Sequence, residues 1–332
     1  MYDIKKIPMY QKAFKILKAS IGIRTTKKEL LPPFPFSHHQ VHSLLTDFKE
    51  IKEIKYSESL DGVIEVRDRP QYPHFVFQRK KVLLNGPFLK FNKKAVDMRF
   101  SLWGNQGIFF HYVLYLLEKY HSIYNFHACG LFDRIKNVLY IIMGGSGSGK
   151  TVFLLEGIHK GLKVFSTETL HCQIKKGNIK FYMGPLVDNV RYGNLIHHFP
   201  QFLPSKETPP HADVWKEKVA INLSSYKSVH EKLINPPKVL ILFPRVEEGR
   251  KHTHLNPYKN KDQCVLSLFR NLSQKISETF LLYNQLPIPG FDNEEMAAKR
   301  LQFIQTLLEH PSLTQVTSVL SAPTKCWEKF LK

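Results

Sequence analysis

The chain has 332 residues, of which 43% are hydrophobic and 23% are charged, a composition typical of a globular protein with one large domain or two ordinary ones. Its four cysteines are scattered without a CxxC pair and no apolar stretch is long enough to cross a bilayer, so a disulfide scaffold, a zinc ribbon and a membrane span are excluded and a cytoplasmic chain is predicted. The formal net charge of +20 attracts polyanions, and nucleic acid is one partner that this charge alone allows.

Residues 1–104 are predicted to form a basic N-terminal α+β region. Apolar residues at near-helical spacing, with lysines between them, predict an amphipathic helix over residues 4–21. A second, short helix is predicted over residues 41–54. Alternating apolar residues bounded by turn residues predict three strands, at 63–66, 74–77 and 96–102.

Residues 105–332 are predicted to form a nucleotide-binding domain, so that the whole chain belongs to the α/β class. A helix that is apolar almost all round is predicted at residues 105–121. Strand and helix patterns then follow one another to the end of the chain. The predicted strands are 124–132, 137–143, 163–165, 170–174, 179–183, 219–223, 239–243 and 315–320. The predicted helices are 149–160, 262–271, 293–310 and one from residue 323, with an exposed loop at 204–210.

One motif in this second region points to a chemistry. Residues 144–151 fit the pattern GxxxxGK[ST] and lie between an apolar strand and a helix; they are Gly144, Gly145, Ser146, Gly147, Ser148, Gly149, Lys150 and Thr151. Glycines allow the backbone N–H groups to converge on phosphate oxygens, and the helix N-terminus adds partial positive charge. Lys150 would bind the β- and γ-phosphates, and the Thr151 hydroxyl would bind Mg²⁺. The motif therefore predicts ATP and Mg²⁺ as cofactors, because a flexible Gly/Ser linker does not explain Lys-Thr at this offset.

The rest of the chain departs from an ordinary P-loop NTPase. Such proteins hold the metal with a second carboxylate at the end of a neighbouring apolar strand. The strand predicted at 239–243 ends instead in Pro244-Arg245, and the strand at 163–165 leads to Ser166-Thr167-Glu168. Glu168 is therefore the carboxylate that the sequence offers nearest to the loop.

Residues 125–168 resemble the catalytic domain of HPr kinase/phosphorylase. The resemblance rests on a histidine strand, the glycine loop, its helix and a segment that ends in acidic residues: Phe126-His127-Ala128-Cys129-Gly130, residues 144–151 and residues 161–168. It implies that His127 lies near the γ-phosphate and that Glu168 is the general base toward an acceptor hydroxyl. The family's first acidic position is Thr167 here. Its later metal-binding glutamate falls near Asn189, where Asp188 could substitute.

These observations predict an ATP- and magnesium-dependent kinase that transfers the γ-phosphoryl group to a hydroxyl, such as a serine of a peptide or protein. Arg245 is predicted to bind phosphate oxygens, with Arg191 and Arg250 as alternatives, because guanidinium offers a planar fork of donors. A nucleotide-binding regulatory or interaction protein without transfer activity remains the alternative. A third interpretation, an ATP-dependent nucleic-acid-binding protein, rests on the charge alone.

Overall fold

The computed structural model describes residues 9–37, 40–204 and 213–331. Helices and sheets are mixed throughout, which confirms the α/β class in this general sense. The chain divides into two compact units, neither of them continuous in sequence. The first comprises Met1–Phe36, Glu50–His121 and Ile276–Phe291, and the second comprises Ser37–Lys49, Ser122–Lys275 and Asp292–Lys332. The predicted organisation, by contrast, has one boundary after residue 104.

The first unit is built on a six-stranded sheet and two helices. Its strands are β1 (Tyr10–Ile16), β2 (Ala19–Thr25), β3 (Lys52–Ile54), β4 (Gly62–Asp68), β5 (His74–Gln78) and β6 (Lys81–Gly86), in the order β3-β1-β2-β4-β6-β5. β4 pairs in parallel with both β2 and β6, and the other pairs are antiparallel. The helices are α1 (Phe88–Lys94) and α2 (Ile108–His121). A short hairpin, Phe280–Leu282 with Leu286–Ile288, completes this unit.

Two predicted helices in the N-terminal region are wrong. The described part of residues 4–21 forms β1 and β2, because a turn at Leu17, with φ of 53°, separates two extended segments; residues 4–8 lie outside the described residues. The buried residues of the two segments, which include Phe14, Ile16, Ile21 and Ile23, together imitate helical spacing. The segment 41–54 contains only the 3₁₀ turn Leu44–Thr46 and strand β3.

Two further predictions are corrected, and the remaining elements agree. Residues 96–102 form turns instead of a strand, and the segment after residue 323 forms turns instead of a helix. The strands predicted at 63–66 and 74–77 correspond to β4 and β5, and the helix predicted at 105–121 corresponds to α2. β6 and α1 were not predicted. Most of the loop predicted at 204–210 lies outside the described residues.

The second unit is built on a nine-stranded mixed sheet. Its strands are β7 (Tyr124–Asp133), β8 (Val138–Met143), β9 (Lys163–Ser166), β10 (Thr169–Lys175), β11 (Asn178–Tyr182), β14 (Lys232–Ile234), β15 (Lys238–Val246), β16 (His254–Pro257) and β17 (Leu313–Ser321). The order is β14-β11-β10-β7-β8-β15-β17-β16, with β9 also paired to β7. β8, β15 and β17 are mutually parallel. A separate antiparallel pair is formed by β12 (Val187–Arg191) and β13 (Lys218–Asn222).

Helices cover both faces of this sheet. They are α3 (Lys150–His159), α4 (Tyr192–His197), α5 (Lys261–Ser277) and α6 (Glu294–Glu309). Alternate residues of β8 belong to two different cores: Tyr140 and Ile142 pack with residues of α3 and α4, whereas Leu139 and Ile141 pack with residues of α5 and α6. Such alternation follows from the period of two in a strand buried on both faces. Among the described residues, no helix is long and apolar enough to cross a membrane.

Candidate functional site

The glycine loop, residues 144–151, joins β8 to α3 at the centre of the second unit. Gly147 and Gly149 have φ of 80° and 100°, a region in which glycine is favoured over other residues. A Cβ at Gly149 would lie 2.3 Å from Val246 Cγ2. Strand β15 thus packs directly against the last turn before the helix, and a side chain larger than hydrogen does not fit there.

Lys150 is folded back across this loop. Its Nζ donates to the carbonyl oxygens of Gly144 at 2.7 Å and Gly145 at 3.3 Å. The backbone from Gly145 to Gly147 is exposed, while Ser148 Oγ is buried without a hydrogen-bond partner among the described residues. An ammonium group, the backbone of an exposed loop and a helix N-terminus together form an arrangement that can bind an anion.

His127 and Glu168 meet beside β7 and β10. The antiparallel register places His127 opposite Thr169, and His127 Nε2 lies 2.8 Å from Glu168 Oε1. The other ring nitrogen, Nδ1, lies 3.0 Å from Gln274 Oε1. Both ring nitrogens therefore lie within hydrogen-bonding distance of a side-chain oxygen, which fixes the orientation of the ring.

Helix α5 positions this histidine. Asn271 accepts a hydrogen bond from the backbone N–H of His127 at 3.1 Å and donates to its carbonyl oxygen at 3.0 Å. Asn271 and Gln274 are three residues apart and lie on the same side of a helix. α5 thereby holds both the backbone and the ring of His127.

Glu168 is an ionised carboxylate in this environment. Burial opposes its ionisation, but the hydrogen bond and charge of His127, with the charges of Lys150 and Lys275, lower its pKa to about 2. The side chain remains one-third exposed (33%). Glu168 can therefore accept a hydrogen bond from a bound molecule at neutral pH.

Asp188, on β12, is a second buried carboxyl that interacts with this site. Burial and the charge of Glu168 raise its pKa to about 7, with Lys218 and Lys150 acting in the opposite direction. Its Oδ2 is buried and has no hydrogen-bond partner among the described residues. A buried carboxyl with an unsatisfied oxygen is costly unless a proton or a cation accompanies it.

Thr167 occupies the position where the resemblance has its first acidic residue, and it has a different role. Its hydroxyl donates to the carbonyl oxygens of Val187 at 2.7 Å and Pro185 at 3.2 Å. These contacts tie the segment before Glu168 to the start of β12. The hydroxyl is engaged with the backbone and supplies no negative charge.

Asp47 and Lys275 extend the charged cluster. Burial raises the pKa of Asp47 well above its ordinary value of 3.8; Lys275 lowers it, and Glu168 raises it further. Thr169 donates its hydroxyl to the carbonyl oxygen of Asp47, which attaches the segment Ser37–Lys49 to β10. Two lysines and three carboxyls thus share one electrostatic environment: Lys150, Lys275, Asp47, Glu168 and Asp188.

The three candidate arginines are placed differently from that cluster. Arg245 follows the core of β15, one residue before Val246, and its side chain is 79% exposed. Arg245 Nε lies 2.6 Å from Glu247 Oε1, and Arg250 binds the other oxygen of Glu247 at 2.8 Å. Arg191 lies at the exposed end of β12. No contact joins any of these arginines to Lys150 or Glu168 in the described part of the chain.

The loop and its neighbours offer too few oxygen ligands to bind a magnesium ion without phosphate oxygens from a nucleotide. Within the described residues, no group of three or more His, Cys, Asp or Glu side chains is arranged to hold a metal. Magnesium in nucleotide sites commonly keeps several waters and binds one or two protein oxygens plus phosphates. Thr151, in the first turn of α3, and the unsatisfied Oδ2 of Asp188 are the groups that could serve.

Four residues of this site were not identified from the sequence: Asp47, Asn271, Gln274 and Lys275. The last three carried a local signal, since polar residues at positions i, i+3 and i+4 mark one side of the predicted helix at 262–271 and its continuation. Asp47 carried no such signal because it lies in the segment 41–54, which was predicted to be a separate short helix. Its proximity to Glu168 depends on how β10 binds that segment.

Comparison with known proteins provides no further assignment. No protein-family model matches the chain, and no curated protein shows significant sequence similarity to it.

Proposed function

We propose that the chain is a divergent P-loop kinase resembling HPr kinase, which binds ATP with Mg²⁺ at residues 144–151 and transfers the γ-phosphoryl group to a hydroxyl. The observation that carries the proposal is the placement of the Lys150 ammonium over the loop carbonyls of Gly144 and Gly145. An incoming triphosphate offers this ammonium stronger acceptors than neutral carbonyl oxygens. The loop N–H groups and the α3 N-terminus would bind the same phosphates.

Glu168 would act on the acceptor. Its carboxylate is ionised, and His127 engages only one of its oxygens among the described residues. The acceptor oxygen would form a bond to the γ-phosphorus while the bond from that phosphorus to the β–γ bridging oxygen breaks. The hydroxyl proton would pass to Glu168, and ADP would leave.

Mg²⁺ would neutralise the phosphate charge that develops during transfer. Thr151 would bind it through the hydroxyl, and Asp188 would supply the carboxylate that Thr167 does not. Lys150 and Lys275 would offset part of the negative charge of Glu168 and of the bound nucleotide.

The test is transfer of labelled phosphate from γ-labelled ATP to serine-containing peptides and proteins. We expect transfer by the parent chain, weakened nucleotide binding in Lys150→Met, and retained binding without transfer in Glu168→Gln. Lys160→Met, a charge deletion at the other end of α3, is the matched control and should behave as the parent. Equal transfer by the parent and Glu168→Gln would remove Glu168 from the mechanism.

A nucleotide-binding regulator without transfer activity is the second candidate, and one observation favours it. A pKa of about 2 makes Glu168 a weak proton acceptor. In that case ATP would bind with an affinity that depends on Lys150, yet neither peptide phosphorylation nor ADP formation would be detected with any acceptor.

A further inference from the structure

The six-stranded sheet of the first unit has one face on the core and one open face. On β2 and β4 the side chains of Ile21, Ile23 and Ile64 are fully buried, whereas Arg24 and Val63, which belong to the other face, are partly exposed. Glu65 on that second face is buried, so the face is open only in part. Packing in the core therefore does not explain which side chains the open face carries.

A cavity of about 860 Å³ lies on this open face. Four apolar residues line it, and we call them the floor: Leu60, Val63, Val76 and Leu83. Four basic residues also line it, and we call them the rim: Arg24, Arg79, Lys80 and Lys81, with Glu58 as the acidic residue among the lining groups. Cavities of this size, apolar with a few polar groups at the edge, are typical of small-molecule sites.

A buried carboxylate beneath the rim holds two of its cations in place. Glu65 lies 2.7 Å from Lys81 Nζ and 3.7 Å from Arg24 Nη1, and Arg67 binds it at 2.6 Å. The Glu65 side chain is only 3% exposed. Three cations around one carboxylate leave an excess of positive charge. Because Glu65 holds these side chains in place, less conformational entropy is lost when an anion binds.

The turn between β5 and β6 supplies the other two cations. Arg79 has φ of 52°, where glycine or asparagine is usual in a two-residue hairpin. Lys80 Nζ lies 5.0 Å from the centre of the Tyr120 ring. Arg79 forms no ion pair within the described part of the chain, so its charge is available to a ligand.

We propose that this cavity binds a soluble organic anion, with its apolar body on the floor and its phosphate or carboxylate between Arg79, Lys80 and Arg24. A single-stranded nucleic acid fits less well, because such ligands stack their bases on aromatic side chains and the residues described as lining the cavity include none. The site lies in the first unit, away in sequence from residues 144–151, and is independent of the proposed nucleotide site.

The test uses the dye 8-anilinonaphthalene-1-sulfonate, which joins an apolar ring system to one anionic group. Fluorescence titrations would be made with the full chain at physiological salt and without nucleotide. We expect Arg79→Asn/Lys80→Gln to weaken dye binding about fivefold or more, the sum of two exposed charge contacts. The matched control is Lys93→Gln/Lys94→Gln, which removes the same charge from exposed positions of α1.

The results of these titrations distinguish a small organic anion from a nucleic acid as the ligand of the cavity. Weaker dye binding in Arg79→Asn/Lys80→Gln, with parental binding in the control, supports the proposal, as does weaker binding in Val63→Thr, which makes the floor polar without changing charge. Equal affinity in the two double variants would overturn it. The proposal would also fail if an oligothymidylate bound in a strongly salt-dependent manner and Arg79→Asn/Lys80→Gln abolished that binding while leaving dye binding unchanged.

Discussion

His127 Nε2 lies 2.8 Å from Glu168 Oε1, although the two residues are 41 positions apart. The β7–β10 pairing brings them together, and the Ala128 N–H donates to the Glu168 carbonyl oxygen at 3.0 Å, so the contact is fixed by the backbone as well as by the side chains. The contact favours the ionised form of Glu168, together with the charges of Lys150 and Lys275.

Glu168→Gln is expected to lower stability at neutral pH and not in acid. The folded-state pKa of about 2 lies below the ordinary value of 4.5, so ionisation of Glu168 stabilises the fold above about pH 4.5, and that stabilisation is lost as the pH falls toward 2. Because the side chain is one-third exposed, solvent screening reduces the effect to about 1–2 kcal/mol. Urea unfolding across this pH range would measure it.

The control for this measurement is Glu217→Gln, which changes an exposed carboxyl of the same unit. Its free energy of unfolding should follow the parent at every pH. A constant difference between Glu168→Gln and the parent from neutral to acid pH would contradict the assigned ionisation of Glu168.

Asp188→Asn is expected to stabilise the nucleotide-free protein at neutral and alkaline pH. The pKa of Asp188 is raised from 3.8 to about 7, so the fold favours its protonated form and loses stability as the pH rises from about 4 to 7. An amide carries no charge and removes this loss. Thermal unfolding of the parent and the variant at several pH values would show curves that diverge above pH 4; parallel curves would contradict the prediction.

Lys150→Met should weaken ATP binding about tenfold to hundredfold, the range for a hydrogen-bonded charge. Equilibrium dialysis with labelled ATP would measure the change against Lys160→Met. The variant should still fold, since the hydrogen bonds of Lys150 Nζ within the described part of the chain go to loop carbonyls, those of Gly144 and Gly145. Unchanged ATP affinity in Lys150→Met would argue against residues 144–151 as the phosphate site.

Trp327→Ala should destabilise the second unit by about 3–5 kcal/mol, as expected for removal of a buried aromatic side chain. Trp327 is 1% exposed, its Nε1 donates to the Phe153 carbonyl at 2.8 Å, and its ring packs against Gly157. Chemical denaturation would report the loss, with Lys329→Ala as an exposed control in the same segment. A loss below about 1 kcal/mol would mean that the turns after residue 323 contribute little to the core.

The elements around the glycine loop were predictable because their signals are local. The strand at 137–143 and the helix at 149–160 correspond to β8 and α3, and Gly161, with φ of 93°, follows the helix end as a C-cap glycine does. The prediction of a helix at residues 4–21 was wrong because a turn at Leu17 reverses the chain and shifts the spacing of the apolar residues. A period is an average over a window, and it does not reveal a reversal of the chain inside that window.

The sequence by itself was enough to identify the glycine loop at residues 144–151. Gly147 and Gly149 stand where the backbone is left-handed, and Lys150 and Thr151 follow at the start of α3. Only the tertiary structure decided which groups surround Glu168. Asn271, Gln274, Lys275 and Asp47 reach this cluster through strand order and helix packing, which bring together residues more than 100 positions apart. The protonation of Glu168 and Asp188 was decided in the same way, because a pKa depends on burial and neighbouring charges that no local pattern specifies.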